Sequence, residues 1–332
     1  MSQTSSHPVS SGSAIRPTRL LVYLTLGDDL LPDESVPDLD RRLLAQAVAL
    51  CEGPELSVHI LHVIEVDSDD PAWQLPETEQ LFESESERAR GIMERDLLPM
   101  MGAARERCTI SVAAGVPVEE ILRTAREQPC DLIVLGAVDP RGLERVAERF
   151  LHRGTAGRLL RTSEFPVCLL DPAGFADGSA DLRPRRVLVP VDFSPVSALL
   201  VRQAEVLCEK FKCELYLLHA LRLSLQHAFK RFPDRGYKPD EYEKELIASA
   251  EQKARELLGN RYDAWTVLLY QDRLASAVPA VVAEYKIDFM VLAGISRTRS
   301  GLAGALLGTN AEKILATTHT PAWVIKPVAS DA

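Results

Sequence analysis

Residues Arg185 to Leu200 read RRVLVPVDFSPVSALL, and this stretch decides the fold. Val187 to Val191 is a short apolar run interrupted only by Pro190, the pattern of a strand buried on both faces in a parallel sheet. Asp192 follows at the strand's carboxyl end. Ser194 and then Pro195 form a helix-start signal, a hydroxyl that caps free N–H groups and a proline at the first helical position. Val196, Leu200, Ala204, Leu207 and Phe211 continue at helical spacing. The stretch is strand, acidic turn, capped helix. In open α/β sheets such a turn borders the crevice where ligands bind, although an aspartate there also serves as a plain polar strand end.

Outward from this stretch the same order appears twice. The first half predicts strands at Arg19–Leu26, Leu56–Val66, Thr109–Ala113, Asp131–Gly136 and Pro166–Leu170. Helices fall between them at Leu39–Cys51, Glu77–Glu106, Val118–Glu127 and Thr155–Arg161, with Pro99 bending or ending the long one. Asp171 to Pro184 is rich in Pro, Gly, Ala and Asp and reads as a linker. The second half repeats with strands at Val187–Val191, Glu214–Leu221, Trp265–Tyr270, Asp288–Ala293 and Ala322–Lys326. Its helices are expected at Ser197–Phe211, Glu241–Leu258, Ala277–Tyr285 and Asn310–Thr317. Residues support the repeat: GTAGRLLRT from Gly154 aligns with GTNAEKILA from Gly308, DLIVLG from Asp131 with DFMVLAG from Asp288, and LHVIE from Leu61 with LHALR from Leu218. A period this long means two duplicated domains. The fold class is α/β, two tandem doubly wound domains, with a leader at 1–17, an N-terminal domain at 18–171, a linker at 172–184 and a C-terminal domain at 185–328.

Composition bounds the function. The net charge of −10 over 332 residues argues against a general nucleic-acid binder, which needs a positive footprint. No apolar run reaches the ~18–20 residues of a membrane span. The Ser-rich leader lacks the apolar core of a secretory signal and reads as disordered. The six cysteines include no CxxC and several sit in apolar patterns, so they are expected reduced, in a cytoplasmic protein.

Chemistry concentrates in Ala293–Asn310, AGISRTRSGLAGALLGTN, which leaves a strand and ends at Gly308-Thr309 before a helix. Glycine permits close backbone approach, the helix N-terminus suits phosphate, Thr309 offers a hydroxyl, and Arg297 and Arg299 offer charge-assisted bonds. The GxxxxGK[ST] loop is absent. A flexible loop with a threonine cap and solvated arginines is the plainer alternative. His62 and His219 recur at matched strand ends, which implies a shared packing or turn role. The histidines show no metal-ligand spacing, and no Ser-His-Asp grouping can be defended. Arg222–Lys238 interleaves Phe229, Phe232 and Tyr237 with basic residues; it reads as a solvated loop packing its aromatics on the domain, with an RNA-contacting or lid loop as the alternative.

The set LVPVDFS, LLHA, DFMVLAG, GTNAEKIL and PAWVIKP resembles the universal stress protein family over about Thr18 to Val328, most like its E-type tandem members. The resemblance implies a five-stranded parallel sheet in each half, a pseudo-two-fold axis, pairing of the two last strands, and ATP or another adenine nucleotide as ligand, with Mg²⁺ only if ATP is bound. It places Pro190 and Asp192 beside the nucleoside and Gly294, Gly308 and Thr309 beside the phosphates; Ser194, Arg297 and Asn310 complete the candidate nucleotide-binding set. The family pattern is G-x-x-G, nine residues, then G-[ST]. Here the second glycine is missing, Gly294 to Gly308 spans 14 positions against 13, and either Ala293 or Gly294 holds the first position. In the N-terminal half Tyr23 and Thr25 replace the proline and aspartate, and Asp139 stands at the second glycine position between Gly136 and Gly154-Thr155. A carboxylate there repels phosphate, so that half is expected to be structural or tuned to a different ligand. Three functions compete: a nucleotide-sensing stress protein, at most a slow ATPase; an interaction scaffold for protein partners; and a binder of another small molecule. The chain is expected to be an intramolecular pseudo-dimer, with further homodimerisation left open.

Overall fold

The computed structural model describes residues 16–26, 35–51, 53–66, 76–136, 154–171, 183–221, 239–294, 309–318 and 320–326. In the first half, β1 (Arg19–Leu24), α1 (Asp38–Cys51), β2 (Ser57–Glu65) and α2 (Pro76–Leu97) come first. A 3₁₀ segment (Leu98–Arg107), β3 (Cys108–Gly115), α3 (Pro117–Glu127), β4 (Leu132–Gly136), α4 (Thr155–Thr162) and β5 (Val167–Leu170) follow. The long polar helix thus ends as Pro99 predicts, passing into the tighter 3₁₀ form. In the second half, β6 (Arg186–Val191), α5 (Pro195–Phe211), β7 (Glu214–Ala220), α6 (Pro239–Leu258), a short 3₁₀ turn and β8 (Trp265–Tyr270) lead to α7 (Leu274–Tyr285), β9 (Phe289–Ala293), α8 (Thr309–Thr318) and β10 (Ala322–Ile325). The leader 1–17 lies almost wholly outside the described residues, as do Asp139, most of the linker and Arg222–Lys238.

The ten strands among the described residues form one sheet in the order β3-β2-β1-β4-β5-β10-β9-β6-β7-β8. Neighbours are parallel except at β5 and β10, which run antiparallel. The register there pairs Ala322 with Leu169, Trp323 with Cys168 and Val324 with Val167. Cys168 faces its own repeat counterpart, Trp323, so the pseudo-two-fold axis passes between them. Two apolar strands that would each have been an exposed edge protect one another.

Side chains alternate across the sheet and make a core on each face. Leu20, Val22 and Leu24 join α1, α2, α5 and α6 on one side. Leu21, Tyr23, Ile133 and Leu135 join α3, α4, α7 and α8 on the other. The repeat extends to the pins that start each first strand. The Asp131 carboxylate accepts the N–H groups of Thr18 and Arg19 at 3.1 Å each, and that of Asp288 accepts those of Arg185 and Arg186 at 3.0 Å each.

One cysteine expectation is overturned. Cys208 and Cys213 form a disulfide, while Cys51, Cys108, Cys130 and Cys168 are free thiols. Lys212 takes a left-handed conformation (φ 57°) at the end of α5 and turns the chain back, bringing the two cysteine Cα atoms to 4.7 Å. The helical pattern around Cys208 hid this, because the reversal follows the helix.

Candidate functional site

In each half the strand order reverses beside the first strand, at β1/β4 and at β6/β9. Such switch points open crevices at the strands' carboxyl ends. The β6–β9 ladder has rungs at Val187–Phe289 and Leu188–Met290 and ends there, while β6–β7 pairing continues to Val191–His219. Pro190, buried in β6 beyond the last β9 rung, contributes no N–H to a further one.

The turn after β6 is built around Asp192. Phe193 adopts φ 58° and swings the chain toward α5. Asp192 Oδ1 accepts the Ser194 N–H at 2.9 Å and the Ser197 hydroxyl at 3.3 Å. Partial burial pushes this carboxyl up, but the bonds from Ser194 and Ser197 outweigh it and hold its pKa below the usual aspartate value. Ser194 is the N-cap residue yet makes no side-chain cap bond; its hydroxyl serves Asp192 instead, which corrects the expected capping role. The Phe193 ring stacks on His219 at 4.4 Å between centroids. His219 Nδ1 lies 2.9 Å from the Val191 carbonyl, which can only accept, so Nδ1 carries the proton. Burial lowers the His219 pKa and favours this neutral ring.

Across the crevice, β9 ends at Ala293, which pairs with Ile325 as Gly136 pairs with Leu170. Ala293 therefore holds the first glycine position and Gly294 follows it. The Gly294 N–H donates to the Ile325 carbonyl at 2.8 Å. A Cβ on Gly294 would fall 2.7 Å from Lys326 Cδ and 3.1 Å from the Ile325 carbonyl oxygen. The buried stem of Lys326 thus requires a glycine here. Burial also depresses the Lys326 ammonium to a pKa of about 8.

The N-terminal crevice keeps the left-handed turn residue and the histidine on the second strand and exchanges the chemistry. Leu26 matches Phe193, with φ 57°, and this turn is why β1 stops at Leu24 rather than Leu26. His62 matches His219, with Nδ1 at 3.1 Å from the Leu24 carbonyl, so the shared turn role read from the sequence holds. The carboxylate has moved. Thr25 occupies the position of Asp192, and Asp40, in the first turn of α1, occupies that of Ser197. Asp40 accepts the Leu26 N–H at 3.1 Å and is 4% exposed. Burial raises its pKa to about 6, against the opposing effect of bonds from Leu26 and Thr25. Tyr23 and Leu26 are buried, and β1–β4 has a third rung at Val22–Val134.

The topology therefore brings Pro190, Asp192, Ser194, Gly294 and the first residues of α8, Thr309 and the exposed Asn310, to one edge of the C-terminal half. Arg297 and Gly308 lie outside the described residues, as does the Thr309 side chain. Sequence reading missed Ser197, Asp40 and Lys326. The repeat alignment held the signal for the first two, since Asp40 and Ser197 fall at one helix position. Among the described residues no group of His, Cys, Asp and Glu is arranged to hold a metal ion, and no helix is long and apolar enough to cross a membrane.

Comparison with known proteins agrees with this architecture. The Universal stress protein family model matches residues 33–170 and again 184–326. Universal stress protein MJ0531 of Methanocaldococcus jannaschii is 25% identical over 146 residues, 43% of this chain and 82% of that protein. A universal stress protein from Archaeoglobus fulgidus superposes with TM-score 0.62 at 17% identity, covering 95% of this chain and 98% of its own. A universal stress protein solved in complex with cAMP aligns over 44% of this chain and 99% of its own, at 16% identity and TM-score 0.30. With both halves matched by one family model and joined through their last strands into a single sheet, the chain belongs to the universal stress protein family as a tandem, two-domain member.

Proposed function

We propose that this protein is a cytoplasmic stress-response regulator that binds an adenine nucleotide, ATP or a relative, in its C-terminal half. The observation that carries the reading is the contrast between the two crevices. In the C-terminal half an exposed, ionised Asp192 is held on its turn by Ser194 and Ser197, at the same edge as the start of α8. A carboxylate so placed accepts hydrogen bonds from ribose hydroxyls or an exocyclic amine, and the free N–H groups of a helix start take phosphate. In the N-terminal half the carboxylate is Asp40, buried against the Leu26 N–H, while Leu26 and Tyr23 pack into the two cores. Among relatives, one universal stress protein has been solved with cAMP. Mg²⁺ would accompany ATP, and any hydrolysis would be slow, since among the described residues no group of side chains around Asp192 is arranged to hold a metal ion. The short SRTR and GTNAE segments favour the E-type tandem subgroup.

Mass spectrometry of small molecules released from untreated protein, followed by calorimetric titration of ATP and adenosine, tests the reading. Binding of both ligands, with loss of both on Asp192→Ala, supports it. Absence of binding at millimolar concentration removes it and leaves an interaction scaffold.

A further inference from the structure

Two parts of the C-terminal crevice's frame, Gly294 and α8, are tied to one turn of a helix in the other half. Gly294 packs against the stem of Lys326, and Lys326 Nζ reaches across the seam to donate to the carbonyl of Leu160. Lys326 is 8% exposed, so this ammonium is placed by the fold. Glu312 lies in the first turn of α8, and its Oε1 meets Arg161 Nη1 at 3.0 Å, with the two side chains 20% and 27% exposed. Leu160 and Arg161 are adjacent in the last turn of α4. That turn's free carbonyls are a favourable place for a lysine.

Neither tie can have a pseudo-symmetric twin. In a true two-fold dimer each contact occurs twice. Here the counterpart of Lys326 is Asp171 and that of Leu160 is Ile314, and a carboxylate cannot donate to a carbonyl. The counterparts of Arg161 and Glu312 are Leu315 and Arg158, which form no ion pair. The halves are therefore specialised: frame elements of the C-terminal crevice are anchored on the N-terminal half through contacts with no mirror equivalent.

We propose that Arg161 and Leu160 are positioning residues for the C-terminal crevice, so that the N-terminal half sets the nucleotide affinity of its neighbour through the last turn of α4. The proposal rests on the nucleotide reading for its ligand and on the observed contacts for its anchoring. The half whose own crevice lacks the exposed aspartate thereby holds its partner's frame.

Hydrogen exchange on the ligand-free full chain tests the anchoring. Arg161→Glu and Glu312→Arg should each speed exchange of the Lys313–Leu315 amides by about tenfold, the effect of losing one charged pair, while the double exchange returns to near wild type. The amides of Trp323 and Val324 in the β5–β10 seam should not change, which separates positioning from general loosening. ATP titration of the full chain tests the consequence: Arg161→Gln should weaken ATP several-fold and Arg161→Lys should restore most of it. Lys326→Met, which keeps the stem against Gly294, should reduce protection of the Ser163 amide by ATP. Unchanged α8 exchange in Arg161→Glu, or singles that add in the double variant, overturns the proposal. So does an unaltered ATP affinity in Arg161→Gln. If the wild type binds no ATP, the nucleotide reading fails separately, and the ligand-free exchange alone decides the anchoring.

Discussion

Replacing Asp40 by Asn should stabilise the N-terminal half at neutral pH and leave it unchanged in acid. Asp40 is 4% exposed, and burial lifts its pKa from 3.8 to about 6 in the folded chain. The folded state therefore binds a proton more tightly than the unfolded state between those values. Stability falls as pH rises through that window, and the whole cost is present above pH 6. A shift of about two units corresponds to ~3 kcal/mol. Asparagine preserves the shape and keeps a carbonyl oxygen for the Leu26 N–H at 3.1 Å, while removing the charge. Native-state hydrogen exchange of the β1 and α1 amides reads the local opening free energy in this half, which a global melt of a two-domain chain would blur. The expected difference between Asp40→Asn and wild type is up to ~3 kcal/mol at pH 7.5, shrinking toward zero near pH 4. A variant less stable than wild type at pH 7.5, or a difference that ignores pH, would refute the argument that desolvation governs this carboxyl.

Asp192→Ala should weaken adenosine and ATP alike by roughly ten- to a hundredfold, measured by calorimetry, and cost about 1 kcal/mol through loss of its bonds at the start of α5. Thr309→Val should weaken ATP more than adenosine in the same titrations, because only ATP uses the start of α8. Reducing the Cys208–Cys213 bond should lower stability by ~2 kcal/mol, the chain-entropy value for so short a loop, read as a shift in urea midpoint with and without reductant. Trp323→Ala should cost about 3–5 kcal/mol, since Trp323 is 1% exposed at the strand pair that joins the halves; an unchanged melting profile would contradict its place at that seam.

The architecture was legible because each signal was local and repeated. Val187–Val191 followed by Asp192 and Pro195 specifies strand, turn and helix within nine residues, and the match of Gly154 to Gly308 extends it to both halves. The pairing of β5 with β10 came from family resemblance and from two apolar strands with no other cover. What stayed hidden depends on contacts across long separations. Gly294 read as a residue for ligand approach, yet its nearest constraint is Lys326, a side chain from the next strand. Ser194 read as a cap from its position before Pro195, but a carboxylate two residues earlier competes for its hydroxyl. Lys326 gave no signal at all: a lysine at a strand end is ordinary until the fold places a helix terminus from the other half above it.

The exchange of one carboxylate explains how two copies of a single frame come to differ. In both halves a left-handed residue after the first strand turns the chain, and a histidine on the second strand braces the turn through its carbonyl. With the acid on the turn, as Asp192, hydroxyls from the helix satisfy it, and it stays exposed and ionised near the crevice. With the acid on the helix, as Asp40, it turns inward to the N–H of Leu26, and burial drives it toward neutrality near pH 6. The left-handed residue and the bracing histidine are common to both halves. The element carrying the carboxylate at this turn differs, and that decides whether the charge faces solvent or the core. Thr25→Asp together with Asp40→Ser should accordingly move the charge back to the N-terminal turn. Tyr23 and Leu26 would still stand where Pro190 and Phe193 stand in the other half, so this pair should raise the pH 7 stability of α1 without creating nucleotide affinity, and calorimetric detection of adenosine in that half would show that the placement of the carboxylate alone had kept it out.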